Sequence, residues 1–192
     1  SKLTLIEIDN DLIENLKKKY QFNNNVKLIN ADILKILLKT KYQLVISNLP
    51  YNISSQILVK LSLLNYAPEI LILMFQKEFA KRLLDKKLNS INSLVRCFYD
   101  VKLKFNVSKN CFRPIPKVNS SILTFIKKEK CLLDEDEIDS YIKFKRKLFT
   151  HKRKTLKNLL KEYTIKGDFD LNLRAEKLKL PSLIKIFREV NA

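Results

Sequence analysis

Apolar residues recur with two rhythms along the chain, and the change between them divides it. Through the first two-thirds, short β-rich runs alternate with stretches in which apolar residues return every three or four positions. Leu3 to Ile8 reads as a buried strand ended by Asp9-Asn10-Asp11. Asp11 is placed to cap a helix carrying Leu12, Ile13, Leu16 and Tyr20 on one face. Asn23-Asn24-Asn25 breaks that helix, and Val26 to Ile29 predicts a second strand. A third, Gln43 to Ser47, runs into Asn48-Leu49-Pro50-Tyr51, after which Ser54 or Ser55 should cap a helix reaching about Leu64. Glu69 to Phe75 predicts a fourth strand, Lys77 to Leu84 and Ser90 to Tyr99 two helices, and Val101 to Val107 and Ser120 to Lys127 two last strands. Such alternation predicts a parallel-dominated α/β sheet.

Beyond Lys130 only the helical rhythm remains. Asp134-Glu135-Asp136-Glu137 is an acidic helix start, favourable at the positive end of a helix dipole. Ile138, Tyr141, Ile142, Leu148 and Phe149 follow at helical spacing, then Leu156, Leu159, Leu160 and Tyr163, then Leu183, Ile184, Phe187 and Val190. The pattern predicts an α/β domain over 1–130 and a small helical domain over 131–192.

Composition narrows the chemistry. The 192 residues hold one glycine, Gly167, where average usage would give about thirteen. No P-loop and no G-x-G-x-x-G turn can be built from them. One histidine, His151, and three scattered cysteines exclude the usual zinc clusters and argue against a histidine-based triad. Cys97, Cys111 and Cys131 read as reduced thiols of an intracellular protein. The longest apolar run, Ile70 to Phe75, falls far short of the ~20 residues of a spanning helix, so a membrane partner is not expected. Lys and Arg number 38 against 20 Asp and Glu, a net charge of +18 that points to a polyanion.

Candidate chemistry sits at the strand ends, where open α/β sheets bind ligands. Glu7 and Asp9 end the first strand, with Glu7 placed to accept hydrogen bonds from a ribose diol. Asp32 follows the second strand, and Asn48-Leu49-Pro50-Tyr51 the third. Each alone has a plain structural explanation, as a helix cap or a turn; together, at consecutive strand ends, they outweigh it. The Asn-Leu-Pro-Tyr turn suits a nucleobase amine, a poor nucleophile because its lone pair is delocalised into the ring. Acceptors from the Asn48 side chain and the Leu49 carbonyl can hold the amine hydrogens and turn the lone pair towards a methyl sulfonium. Pro50 fixes the turn, and Tyr51 offers a ring for stacking. Catalysis of this kind is positioning and electrostatics, without a metal.

Four segments carry a resemblance. Leu3-Thr4-Leu5-Ile6-Glu7-Ile8-Asp9, Asn48-Leu49-Pro50-Tyr51-Asn52-Ile53-Ser54, Gln76-Lys77-Glu78-Phe79-Ala80-Lys81-Arg82-Leu83 and Phe112-Arg113-Pro114-Ile115-Pro116-Lys117-Val118-Asn119-Ser120-Ser121 occur in that order. They resemble successive motifs of the ribosomal RNA adenine N6,N6-dimethyltransferases, a family related to the erythromycin-resistance methyltransferases. The resemblance covers essentially the whole chain. It implies a Rossmann-like class I methyltransferase sheet followed by a small all-helical domain, with S-adenosyl-L-methionine as cofactor. It also implies that Glu7 and Ile8 hold the cofactor ribose, that Asp32 and Ile33 hold its adenine, and that Asn48 lies at both cofactor and substrate. Tyr51 and Phe112 would stack on the two faces of the target adenine. The family's first strand and glycine-rich turn have no counterpart here, and the chain opens at what looks like the second strand. Asn119 stands where many members have an acid.

Between Lys143 and Lys161 there are nine Lys or Arg and no acid, including Lys145-Arg146-Lys147 and Lys152-Arg153-Lys154. A solvated helix face usually mixes signs, so this run reads as a phosphate-binding surface. Within the family, His151-Lys152-Arg153-Lys154-Thr155-Leu156-Lys157 and Leu173-Arg174-Ala175-Glu176-Lys177-Leu178 resemble the small-subunit biogenesis enzymes. That branch implies a monomeric enzyme whose partner is small-subunit ribosomal RNA in an assembling subunit; the expected compartment is the cytoplasm, with the nucleolus and organelles, which also hold such ribosomes, as alternatives. Its substrate would be two adjacent adenines in the 3′-terminal hairpin loop. The alternatives are the resistance branch, which acts on large-subunit RNA, and a non-catalytic RNA-binding assembly factor on the same fold.

Overall fold

The computed structural model describes residues 2–190. The chain divides into two compact units, residues 1–40 and 41–192.

In the first unit, β1 (Leu3–Glu7), α1 (Asn10–Tyr20) and β2 (Val26–Asn30) form a strand-helix-strand crossover. β1 and β2 pair in parallel, from Leu3 opposite Val26 to Glu7 opposite Asn30. The helix is capped by Asp9 rather than by Asp11. Asp9 Oδ1 accepts from the N–H groups of Asp11 at 2.8 Å and Leu12 at 3.0 Å, and Asp11 lies in the first turn, where its charge suits the helix dipole. Ile13 is the one fully buried hydrophobic residue among those described in this unit.

The second unit holds a sheet of β3 (Leu44–Asn48), β4 (Ile70–Gln76), β5 (Tyr99–Val107) and β6 (Ser120–Lys127) in the order β3-β4-β6-β5. β3 and β4 are parallel, joined through α2 (Ser54–Ser62); β6 runs antiparallel to both of its neighbours. The sheet is therefore not parallel-dominated as the alternation predicted, because β5 returns directly through a loop instead of a crossover helix. Alternate residues Leu71, Leu73, Phe75, Tyr99, Leu123 and Phe125 are wholly buried on one face. Phe125 stands edge-on to Phe75 and Tyr99, with ring centroids 6.1 and 6.2 Å away. The Tyr99 hydroxyl donates to the Pro68 carbonyl at 2.7 Å, and burial raises its pKa. α3 (Lys77–Leu84) and α4 (Asn92–Phe98) follow β4. On the other face, Leu44 and Ile46 of β3, an outer strand of this sheet, remain exposed.

Residues beyond 130 belong to this same compact unit. They form α5 (Ile138–Thr150), the single turn α6 (Leu156–Leu159) and α7 (Leu180–Val190). A capping box between Asp134 and Glu137 starts the approach to α5. Tyr141 of α5 is buried, donates its hydroxyl to the Ser93 carbonyl at 3.1 Å, and meets Phe187 of α7 edge-on at 5.1 Å. Arg188 holds Glu137 through two hydrogen bonds of 2.7 and 2.9 Å, which keeps that carboxyl below its ordinary pKa. The Glu189 Oε2 accepts from the N–H groups of Lys166 at 2.7 Å and Gly167 at 3.1 Å. A Cβ on Gly167 would lie 2.5 Å from Glu189 Oε1 and against the Phe169 ring, so a larger residue there requires one of those two side chains to move.

Candidate active site

In the first unit the two carboxylates stand at the ends of adjacent parallel strands. Glu7 ends β1, and one of its oxygens, Oε1, accepts from the N–H groups of Ile8 at 2.8 Å and Asp9 at 2.9 Å. The strand thus folds its own carboxylate back on the turn and leaves Oε2 for a ligand. The Ala31 N–H donates to the Glu7 carbonyl at 3.0 Å, which carries the pairing one residue past β2 and sets Asp32 beside the end of β1. Asp32 caps no helix. Its Oδ1 accepts from the Leu34 N–H at 2.8 Å in a tight turn, whose backbone closes with Lys35 and Ile36 donating to the Asp32 carbonyl at 3.0 and 3.1 Å. Ile8 is exposed and Ile33 half-buried, so apolar side chains flank both carboxylates. Two acceptors with apolar neighbours suit a ribose diol and a flat heterocycle, the nucleoside end of S-adenosylmethionine. The residues present fit that end of the cofactor.

The second unit carries the Asn48-Leu49-Pro50-Tyr51 turn. Asn48 is the last residue of β3, opposite Met74 of β4. Its side chain is exposed and makes no hydrogen bond among the described residues. Leu49 is buried and anchors the turn, and Pro50 is exposed. The Ile53 N–H donates to the Pro50 carbonyl at 3.2 Å, and the Ser54 hydroxyl to the Tyr51 carbonyl at 3.0 Å. Ser54 thus serves the turn rather than the helix: α2 is preceded by Ile53, with no side-chain cap.

Tyr51 is half-buried, and its hydroxyl lies 2.5 Å from the Ser120 hydroxyl. Ser120 is buried at the start of β6. This bond across the sheet fixes the tyrosine ring, and nothing in the sequence singled out Ser120 for it. Phe112 lies in the connection between β5 and β6, half-buried, its N–H donating to the Lys109 carbonyl at 3.2 Å. Among the described residues no direct ring pairing joins it to Tyr51.

The basic run does not act as one surface. Arg146, Lys152, Arg153 and Lys154 are exposed. Lys145 is buried, contrary to the phosphate-binding role expected of it. Its ammonium donates to the Ser90 carbonyl at 2.9 Å and to the Ser90 hydroxyl at 3.2 Å, and burial lowers its pKa, with Arg146 adding repulsion. The reason is its position: Tyr141, Phe144, Lys145, Leu148 and Phe149 form the inward stripe of α5. Lys147 is partly covered, 3.4 Å from Glu162 and 4.9 Å above the Tyr163 ring.

Parallel crossovers with acceptors at the strand ends, followed by an Asn-Leu-Pro-Tyr turn, define an α/β methyltransferase fold. The chain belongs to the ribosomal RNA adenine dimethylase family, whose model matches residues 1–189. It is 39% identical to the ribosomal RNA small subunit methyltransferase A of Malacoplasma penetrans over 84% of its own length, and spans 60% of that relative. The protein of the same name from Mycoplasma capricolum is 38% identical over 97% of this chain and 77% of its own length. Among solved structures, a dimethyladenosine transferase from Plasmodium falciparum superposes with a TM-score of 0.84 at 27% identity, covering 99% of this chain and 82% of that one. The 23S rRNA methyltransferase ErmE shares the fold, with a TM-score of 0.75 at 20% identity over all of this chain and 82% of that one.

Proposed function

We propose that this chain is the catalytic part of an enzyme that converts two adjacent adenines in the 3′-terminal hairpin loop of small-subunit ribosomal RNA to N6,N6-dimethyladenine. Its working partner is an assembling small subunit in the cytoplasm, and the enzyme acts as a monomer. The observation that carries this reading is Asn48, an uncommitted amide at a strand end, followed by a turn whose tyrosine is already fixed. The small-subunit assignment rests on the two small subunit methyltransferases to which the chain is 39 and 38% identical.

Bound S-adenosylmethionine would supply a methyl sulfonium electrophile. Glu7, with Ile8, holds the ribose of that cofactor; Asp32 and Ile33 hold its adenine. The Asn48 side-chain oxygen and the Leu49 carbonyl accept the hydrogens of the target amine, which rehybridises it and frees its lone pair for attack. Tyr51, steadied by Ser120, stacks on the base and sets its angle, and Phe112 closes over the other face once the base arrives. The work is orientation and charge placement, the effects that dominate transfers without a covalent enzyme intermediate. A duplex buries the adenine amine in its stack, so the target is an unpaired or extruded base. The second methylation needs the monomethylated amine to rebind with its methyl turned aside. Residues 131–192 carry the RNA surface through Arg146, Lys152, Arg153 and Lys154.

The test is incubation of the protein with immature small subunits and labelled S-adenosylmethionine, followed by nucleoside analysis. N6,N6-dimethyladenosine at two neighbouring positions of small-subunit RNA is the expected result. Label in a large-subunit adenine moves the protein to the resistance branch, and no label in either RNA removes the enzymatic reading.

A further inference from the structure

A cleft of about 260 Å³ opens beside the base-binding turn, and none of the roles assigned above uses it. Gln76 at the end of β4, Lys77 and Glu78 at the start of α3, and Lys109, Lys117 and Asn119 of the β5–β6 connection line it. The sheet ties it to Tyr51. Gln76 pairs with Ser120 across the β4–β6 ladder, and the Ser120 hydroxyl is the one bonded to Tyr51. One residue earlier, Asn119 fastens both walls: its carbonyl accepts from the Lys77 N–H at 3.0 Å and its Oδ1 from the Lys109 N–H at 2.9 Å. The cleft begins where the platform for the base ends.

Its charge is unbalanced. No ion pair engages Lys77, Lys109 or Lys117 among the described residues. The single acid on the wall, Glu78, already faces Lys81 at 2.6 Å. Three lysines line one concavity with a single acid, and an anion seated there gains from that excess of positive charge. The volume lies below the roughly 300–1,000 Å³ of pockets that enclose a whole small-molecule ligand, which favours a group carried by something larger.

We propose that this cleft seats the phosphodiester of the RNA nucleotide next to the adenine stacked on Tyr51. The inference rests on the methyltransferase reading and adds a register to it. With the neighbouring phosphate held by Lys77, Lys109 and Lys117, a flexible loop can offer only one of its bases to Asn48 at a time. The site reads the spacing between base and backbone rather than the sequence, since groups that bind phosphate fix position without sensing base identity.

Replacing single linkages around the target adenine with uncharged methylphosphonates tests this. For the unaltered protein, one flanking linkage should raise KM for methyl transfer about tenfold when neutralised, the usual scale for losing a charged hydrogen bond, with kcat within threefold. In the Lys77→Gln, Lys109→Gln, Lys117→Gln variant the same linkage should be silent, and Lys109→Gln or Lys117→Gln alone should show a partial effect if the triple variant folds poorly. Equal sensitivity in variant and parent at every linkage overturns the proposal. If no RNA is methylated at all, the enzymatic reading fails separately, and binding still decides the cleft. The salt dependence of single-stranded RNA binding should then fall by about 0.7 in the triple variant, one phosphate contact being lost, and an unchanged slope overturns the proposal.

Discussion

The proposed site residues of the two units are held in place by different means. In residues 1–40 the carboxylates are set by their immediate neighbours: Glu7 by the N–H groups of Ile8 and Asp9, Asp32 by that of Leu34. Only Ile13 is fully buried there among the described residues, and that unit contributes little packing of its own. In residues 41–192 the Asn48-Leu49-Pro50-Tyr51 turn hangs on distant partners. Tyr51 is fixed by Ser120, 69 positions away, and Ser120 by a sheet buried at Phe75, Leu123 and Phe125. On the proposed reading, cofactor groups preset by local hydrogen bonds should survive loosening of the surrounding fold, and a base-binding turn set by tertiary packing should not.

The sharpest way to break that comparison is to damage the second core alone. Phe125→Ala removes a ring from the centre of the sheet and should cost about 3–5 kcal/mol of stability in chemical denaturation, with methyl transfer lost as Tyr51 loses its support. Retention of activity at wild-type level would show that the turn does not depend on the sheet. Next comes Asn48→Ala, which leaves both units folded but removes an acceptor used mainly at the transition state. Single-turnover transfer should fall about 10²–10³-fold, or ~2.7–4 kcal/mol, with S-adenosylhomocysteine affinity nearly unchanged. A fall of less than threefold would remove Asn48 from the chemistry.

Much of this arrangement was legible in the sequence. Every strand was visible as a β-rich run because the pairing of Leu3–Glu7, Val26–Asn30 or Ile70–Gln76 demands a continuous apolar stretch, and the polar strand ends stood out against it. Strand direction was not visible, since β5 and β6 differ from a parallel pair only in the length of their connection. The helix rhythm also held the answer for Lys145. It sits four positions from both Tyr141 and Phe149, so spacing places it inward where charge counting places it outward. Ser120 had no such signal: its role arises only when β6 comes to lie beside Tyr51.

Two smaller effects refine the contrast. Ser120→Ala and Tyr51→Phe should each weaken base binding by about 0.5–1.5 kcal/mol, and the double variant should be no worse than either, because both remove one bond. Additive losses in KM would mean that Ser120 acts on something other than Tyr51. On the local side, Asp9→Ala removes the α1 cap and should cost about 1 kcal/mol, with faster hydrogen exchange confined to residues 1–40. Spread of that faster exchange into the four-stranded sheet would contradict the separation of the two units.

The lone glycine has a meaning of its own in terms of which mutations the chain can absorb. At Gly167 any side chain would collide with Phe169 and displace the Glu189 carboxylate from the two N–H groups it collects. That carboxylate clips the loop ahead of residue 170 to the last turn of the final helix. Position 167 is thus more constrained than its exposed neighbours Lys166 and Asp168, since a side chain there must displace the Phe169 ring or the Glu189 carboxylate, and in a sequence with no other glycine this one marks where a missing side chain makes room for a clip.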